Sequence, residues 1–455
     1  MNTKIFFLSI VGLLLIGSIF SSTANSEEQA QAQNYDLIRV SVGYDGSEAN
    51  NFSGRPVISQ DGRFLVFDSA ASNIVPNDVN GRWDVFVYDI QNKTIEMVSV
   101  NSNGEQANRG AGYPDISADG RYISFTSGST NLVLNDINGK SDVFRHDRET
   151  GETIRVSISS EGVEGDEHSS LSTYNYISSN GRFISFISRS TTLVKDPPTG
   201  LSLDVYVHDV EQRETIRLTS HPEIDFSESP RLSYMGPFSY TGSHTLISGS
   251  SAVNSQIYLM DIKNNTVQNI TIGINGQPAN NYSTSPDISA DAKTIVFASF
   301  ASNLVAGGEF GRDIYIRHLD TSTTEIISKQ LGNPGDDGLG ESYTPKISAD
   351  GNFVVFRSNS ELFGVEDNQI FSDLYLYDVT IKAITNVSRS YNGVRGDGYA
   401  AEPSISGNGR YIAFRGSSTN FVPNDTNEFV DIFLVDRGPS FVNFTNSVYL
   451  PSIIN

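Results

Sequence analysis

"ISADGRYISF", residues 116–125, is one member of a series. Its relatives are "ISQDGRFLVF" from Ile58, "ISSNGRFISF" from Ile177, "ISADAKTIVF" from Ile288, "ISADGNFVVF" from Ile347 and "ISGNGRYIAF" from Ile405, with a degraded copy, "FSYTGSHTLI", from Phe238. Anchored on the second turn residue, the copies stand at Gly62, Gly120, Gly181, Gly242, Ala292, Gly351 and Gly409, 50 to 61 residues apart. Recurrence at a near-constant period marks a repeat architecture. Seven units fill residues 36–437 of a 455-residue chain that is too long for one ordinary core.

Each unit reads as four strands. The first is short and follows Pro, as in "PDIS" at Pro114 to Ser117. An Asp-Gly or Asn-Gly pair then reverses the chain, because those residues tolerate the positive φ of tight hairpins. "RYISFTS" is the second strand, "DVFRHD" the third and "ETIRVSI" the fourth. In the third strand Val85 and Val87 share one face while Phe86 and Tyr88 share the other, so both faces are apolar. A strand buried on both sides belongs to a sheet packed between neighbouring sheets. Seven such sheets closing radially form an all-β, seven-bladed β-propeller, which leaves no long exposed edge. The last unit supplies three strands, ending at "DIFLVD", while "YDLIRVSV" at Tyr35 to Val42 matches a fourth strand. The N-terminal strand is therefore expected to complete blade seven. "FVNFTNSVYL" from Phe441 is the competing candidate for that strand.

The ends carry their own signals. "IFFLSIVGLLLIGSIF" follows Lys4 and precedes Ala24 and Ser26, the layout of a cleaved secretory signal peptide over residues 1–26. Residues 27–35 read as a linker and 438–455 as a C-terminal tail. This predicts an exported protein, extracellular or periplasmic, with no membrane span after cleavage. With no Cys, stability must come from packing without disulfides. The formal charge of −22 opposes binding to nucleic acid or to anionic lipid.

"PDISADGRYISFTS" and "SDVFRHDRETGETIRVS", with the Ser-x-Asp-Gly turn, resemble the TolB-like repeat, the Pro-Asp variety of WD40-like blades, in a group of secreted bacterial propellers. The resemblance covers residues 36–437 and implies the fold, while propellers host binding, scaffolding and catalysis alike. The sequence departs from TolB in having seven anchors where TolB has six blades, and no separate α/β domain. A role in Tol-dependent transport is accordingly not implied.

Chemistry is sparse. There is no nucleophile elbow, phosphate loop, His-Glu-x-x-His or thiol. His146, His208 and His318 sit in third strands of different blades, too far from the axis to converge, and read as packing or surface residues. First strands, which face the axis, contribute the mixed set Val57, Asp115, Tyr176, Asp287, Lys346 and Ser404. No catalytic residue is assigned.

Two loop patterns are candidates for binding. Asn50, Asn108, Asn280 and Asp397 each stand six residues before the Pro of a first strand, where they would ring one channel mouth. Short polar side chains also suit tight turns there. "NDVNGRWDVFVYD" from Asn77, "NDINGKSDVFRHD" from Asn135 and "NDTNEFVDIFLVD" from Asn424 repeat an oxygen-rich spacing: Asp78, Asn80 and Asp84; Asp136, Asn138 and Asp142; Asp425, Asn427 and Asp431. Asp367 and Asp373 carry part of it. Such spacing is part of a Ca²⁺ loop, and equally of Asx turns between strands.

The sequence thus predicts a monomeric, exported, non-enzymatic propeller that binds a protein or glycan at one face, with Ca²⁺ as its candidate cofactor. Two alternatives stand beside it: a channel-mouth enzyme such as a polysaccharide lyase or glycoside hydrolase, and a structural cell-surface component.

Overall fold

The structure, a computed structural model, describes residues 35–170, 175–196, 203–221, 234–250, 255–308, 311–328, 341–359 and 371–438. The predicted leader and the Phe441 segment lie outside the described residues. Seven antiparallel sheets of four strands each make up the fold, and the one helical element described is a 3-10 turn at Leu218–Ser220. Blade one runs Ser53–Ile58, Phe64–Ser69, Asp84–Asp89 and Thr94–Met97 from the axis outward. Blade seven takes Ala400–Ile405, Tyr411–Gly416 and Asp431–Asp436 from the C-terminal end and Asp36–Arg39 from the N-terminal end. Asp36 pairs with Asp436 and Arg39 with Phe433, so the closing strand is the one expected from "YDLIRVSV".

Packing follows the two-sided pattern of the third strand. Leu65, Phe67, Phe86 and Tyr88 of blade one pack with Ala413, Ile432 and Leu434 of blade seven. Phe64, Val66, Val85 and Val87 pack the other way, with Ile116, Ile123, Phe125 and Phe144 of blade two. Aromatic pairs join second and third strands inside the blades, among them Phe67 with Phe86 at 5.7 Å and Phe125 with Phe144 at 5.8 Å between ring centroids. Each such fully buried ring stabilises the fold by roughly 1.5–3 kcal/mol through burial alone.

A buried polar relay repeats in all seven blades. A Ser or Thr hydroxyl two residues after the fourth strand donates to the residue that opens the third strand: Ser41 to Asp431, Ser99 to Asp84, Ser157 to Asp142, Thr219 to Asp204, Thr271 to Gln256, Ser328 to Asp313 and Ser388 to Asp373. The same oxygen usually accepts the next third-strand N–H, as Ser41 does from Ile432 at 2.9 Å. The repeated third-strand Asp is thus a cross-strand tie, satisfied although fully buried.

First strands begin earlier than the Pro-led reading predicts. In blade two the strand is Ala111–Ile116, with Pro114 inside it. The register shifts between Gly112 and Asp115, and equivalent bulges recur in blades one, four, five, six and seven. Proline is tolerated because a bulge on the innermost strand needs no ladder donor there. In five of these blades the residue before the Pro is held at positive φ: Arg55, Tyr113, Ser285, Thr344 and Glu402 lie between 45° and 55°.

Candidate functional site

The bulges aim these pre-proline residues into the mouth of the axial channel, on the face that carries the fourth-to-first-strand loops. Three consecutive blades touch there. Glu402 of blade seven accepts the Arg55 backbone N–H at 3.2 Å and pairs with Arg415 at 3.1 Å. The Arg55 guanidinium pairs with Asp68 at 2.7 Å and lies 3.8 Å from the ring centre of Tyr113 and 5.6 Å from that of Trp83. Asp68 is fully buried, and burial pushes its pKa up to about 6 despite Arg55. Its second oxygen has no hydrogen-bond partner among the described residues. Beside this cluster Phe52 meets Phe429 edge-on at 5.0 Å. In blades five and six Arg312 lies over Phe300 and Tyr343, at 4.5 and 4.7 Å.

One layer deeper, the first-strand residues that look mixed in sequence converge. Lys346 of blade six extends across the axis to blade three, its ammonium 5.8 Å from the Tyr176 ring centre. Asp287 and Asp115 flank it electrostatically. Asp115 accepts Ile116 N–H at 3.0 Å and Ile177 N–H of the next blade at 2.8 Å, and Asp287 accepts Ile347 N–H at 2.8 Å. Burial raises the pKa of Asp115 to about 7 and raises that of Asp287 too, against the pull of Lys346. For Lys346 burial disfavours the ammonium, but Asp287, Tyr176 and Asp115 outweigh it and hold the pKa above the ordinary lysine value. The ammonium, which carries three donors, hydrogen-bonds to no described residue.

The opposite end of the channel is narrowed by a ring of backbone hydrogen bonds between blades. Asp61 N–H donates to Ala118, Ala118 to Ser179, Tyr240 to Ala290, Ala290 to Ala349, Asp350 to Gly407 and Gly407 to Gln60, all within 3.1 Å. Gly407 is glycine because a Cβ would stand 2.5 Å from the Gln60 carbonyl oxygen.

The predicted rim residues form a second repeated device. Asn50 donates to Ser72 Oγ at 3.0 Å and accepts Ser72 N–H at 2.9 Å. Asn108 bonds Thr130 and Asn280 bonds Ser302 in the same way, while Asp397 accepts both the N–H and the hydroxyl of Thr419. Each joins the loop entering a first strand to the loop after the second strand of the same blade. Asp166, which the sequence reading overlooked, does the same with Thr191.

The acidic loops bring their carboxylates together in pairs. In blade seven Arg39 lies 3.1 Å from Asp425, 3.5 Å from Asp431 and 2.8 Å from Glu48, and Asn427 donates to Asp431 at 3.2 Å. In blade two Arg155 lies 3.4 Å from Asp136, 3.5 Å from Asp142 and 2.7 Å from Glu164, and Asn138 donates to Asp142. Blade one has Met97 and Gln106 at the positions of that arginine and glutamate. The Gln106 amide there bridges Asp78 at 2.7 Å and Asp84 at 2.9 Å, while Asn80 donates to the Ala107 carbonyl. Asp373 of blade six meets Arg395, and Asp367 lies outside the described residues. Among the described residues no group of three or more His, Asp or Glu is arranged to hold a metal ion.

The third-strand histidines bond within their own blades, His318 to Thr294 of the second strand at 3.3 Å. His146 and His208 are buried, each hydrogen-bonded to the Thr of the adjoining fourth strand, Thr153 at 2.9 Å and Thr215 at 2.8 Å. Burial lowers His208 to about 4, so it packs as a neutral ring.

No family model and no curated protein matches the chain. Solved structures do. An oligogalacturonate lyase from Vibrio parahaemolyticus matches with 14% identity and a TM-score of 0.53, over 90% of this chain and 98% of that one. The β-propeller domain of the Trilobed protease from Pyrococcus furiosus matches with 12% identity and 0.53, over 89% and 99%. The chain is a β-propeller. TolB from Acinetobacter baumannii is similar at 14% identity and a TM-score of 0.41, over 74% of this propeller and 63% of the TolB chain. Likeness at such identities extends to the fold and no further. Among the described residues no helix is long and apolar enough to cross a membrane.

Proposed function

We propose that this propeller is an exported, non-enzymatic binding module that takes a protein or glycan ligand at the channel mouth. The observation carrying this reading is the convergence of Lys346, Asp115, Asp287 and Tyr176 below a mouth built by Arg55, Tyr113, Trp83 and Glu402. Convergent polar groups in a concave site walled by aromatic side chains are the usual marks of ligand recognition. The acidic surface narrows the partners to neutral or cationic ones. Ca²⁺ enters the proposal as a ligand of the loops of blades one, two and seven, of which only blade one lacks an Arg within ion-pair distance among the described residues.

The enzyme reading keeps one observation in its favour, a carboxyl near neutrality, Asp115, close to a lysine. One experiment addresses both. The purified protein is screened against glycans and envelope proteins, with binding and turnover scored together. Binding without turnover, lost in Arg55→Ala, is the expected outcome; product formation lost in Asp115→Asn would replace the binding module with an enzyme.

A further inference from the structure

The axial layer has a specific chemical demand, which bears on what could enter the channel. Lys346 presents hydrogen-bond donors and no acceptor, whereas Asp115 and Asp287, when ionised, present acceptors and no donor. Asp287 and Asp115 offset the charge of the ammonium, but it finds no hydrogen-bond partner among the described residues, and an enclosed donor left unpaired is costly. A carboxylate ligand would satisfy Lys346 but meet two carboxylates. An ammonium ligand would satisfy the carboxylates but meet Lys346. A hydroxyl group both accepts and donates, so adjacent hydroxyls can take a proton contact from Lys346 and return one to Asp115 or Asp287. The mouth above this layer carries the rings of Tyr113 and Trp83 with the Arg55 guanidinium against them, a cluster that offers both packing surface and hydrogen-bond donors to a pyranose. Trp83 is the chain's one tryptophan and is 37% exposed.

From this complementarity we infer that the axial layer around Lys346 is a subsite for the uncharged, hydroxyl-bearing end of a saccharide chain. The inference rests on the proposed binding role and adds the ligand's chemical class and its seat. Lys346 and the two Asp residues sort ligands by hydrogen bonding, because a site built around hydroxyl contacts rejects analogues that leave its polar groups unpaired.

The test is calorimetric titration with cellotetraose and with tetra-N-acetylchitotetraose, followed in parallel by Trp83 fluorescence. Tetragalacturonate and tetra-alanine serve as the anionic and peptide probes. A neutral tetrasaccharide should bind and alter Trp83 emission. Asp287→Asn and the charge-balanced double variant Lys346→Met with Asp287→Asn should each weaken it by about tenfold or more, a loss of roughly one or more good hydrogen bonds. Asp287→Asn is isosteric, so it keeps the test open if the double variant does not fold. Failure of both saccharides to bind at millimolar concentration, or undiminished binding in variants that melt like the parent, overturns the subsite. Channel-dependent binding of tetragalacturonate or tetra-alanine instead overturns the saccharide chemistry while leaving the binding module standing. Silence from all four probes and from the wider screen removes both.

Discussion

Asp84, Asp142 and Asp431 occupy one position of the repeat and accept the same serine hydroxyl, yet their electrical company differs. Asp142 and Asp431 sit beside Arg155 and Arg39, whereas Asp84 faces Asp78 across a neutral amide. Burial first, with Asp78 adding to it, raises Asp84 to about 7. A carboxyl whose folded pKa lies above its unfolded value of roughly 4 binds a proton more readily when folded. Its stabilising contribution is therefore present at low pH and is lost as pH rises from about 4 to about 7. Asp115, at about 7, acts in the same direction. Glu48 and Asp147 are held down near 2 by hydrogen bonds and arginine, against the effect of burial, and weaken the fold only below the ordinary carboxylate range. The melting temperature should accordingly fall between pH 5 and pH 8. Asp84→Asn should flatten part of that fall and raise stability at pH 8 by about 1–3 kcal/mol, since blade four already works with an amide, Gln256, in that place. A variant that melts lower than the parent at pH 8 would refute this. Calcium is tested at the same position. A rise in melting temperature with millimolar CaCl2 that disappears in Asp78→Asn supports binding by the blade-one loop, and equal melts in CaCl2 and chelator count against it.

At the scale of the blade, the four-strand unit works with interchangeable parts. Blades two and seven offset their acidic pair with an arginine from the fourth strand, which a glutamate from the following loop also holds in place. Transplanting both into blade one, as Met97→Arg with Gln106→Glu, should recreate that network and stabilise it at pH 8 by about 1–2 kcal/mol, close to the strain of the unneutralised pair. Gln106→Glu alone should destabilise, because it removes the bridging amide and sets a third carboxylate beside Asp78 and Asp84, and Met97→Arg alone should give less than the pair because no glutamate holds the arginine in place. Equal effects of the single and double variants in urea melts would refute the coupling. The blade was largely legible in sequence because its cues are local: Asx-Gly turns, alternating apolar residues and the "DVF" run recur with little change. The bulge was not. Tyr113 and Glu402 carry no composition that announces a left-handed φ, and Pro114 reads locally as the start of a strand instead of its interior. Nor could sequence reveal the axial layer. Lys346 meets Tyr176 from the opposite side of the ring, 170 positions away, and the pairing depends on the number of blades and their closure. The rim residues were found by their spacing, but their bonding into the neighbouring loops needed the fold.

For the whole molecule, closure rests on one short strand. Asp36–Arg39 pairs along Phe433–Asp436, Val40 N–H continues to the Ile432 carbonyl at 2.7 Å, and Arg39 and Ser41 complete blade seven's polar contacts. Deleting residues 36–42 should expose the edge of Asp431–Asp436, bury Asp431 without its arginine or serine, and cost several kcal/mol. Early unfolding or aggregation in thermal melts is the expected outcome; a truncation that melts like the parent would refute the role of this clasp.

That clasp also sets an order of events during synthesis. The strand that leaves the ribosome first docks against the strand that leaves last, so six blades can form while the seventh waits for nearly the whole chain. Joining ends some 400 residues apart carries an entropic cost of about 5 kcal/mol if nothing between them has folded, and far less once the intervening blades have brought the ends together. Closure should thus be the late step of folding, with residues 36–42 unprotected against hydrogen exchange until the rest of the ring is in place.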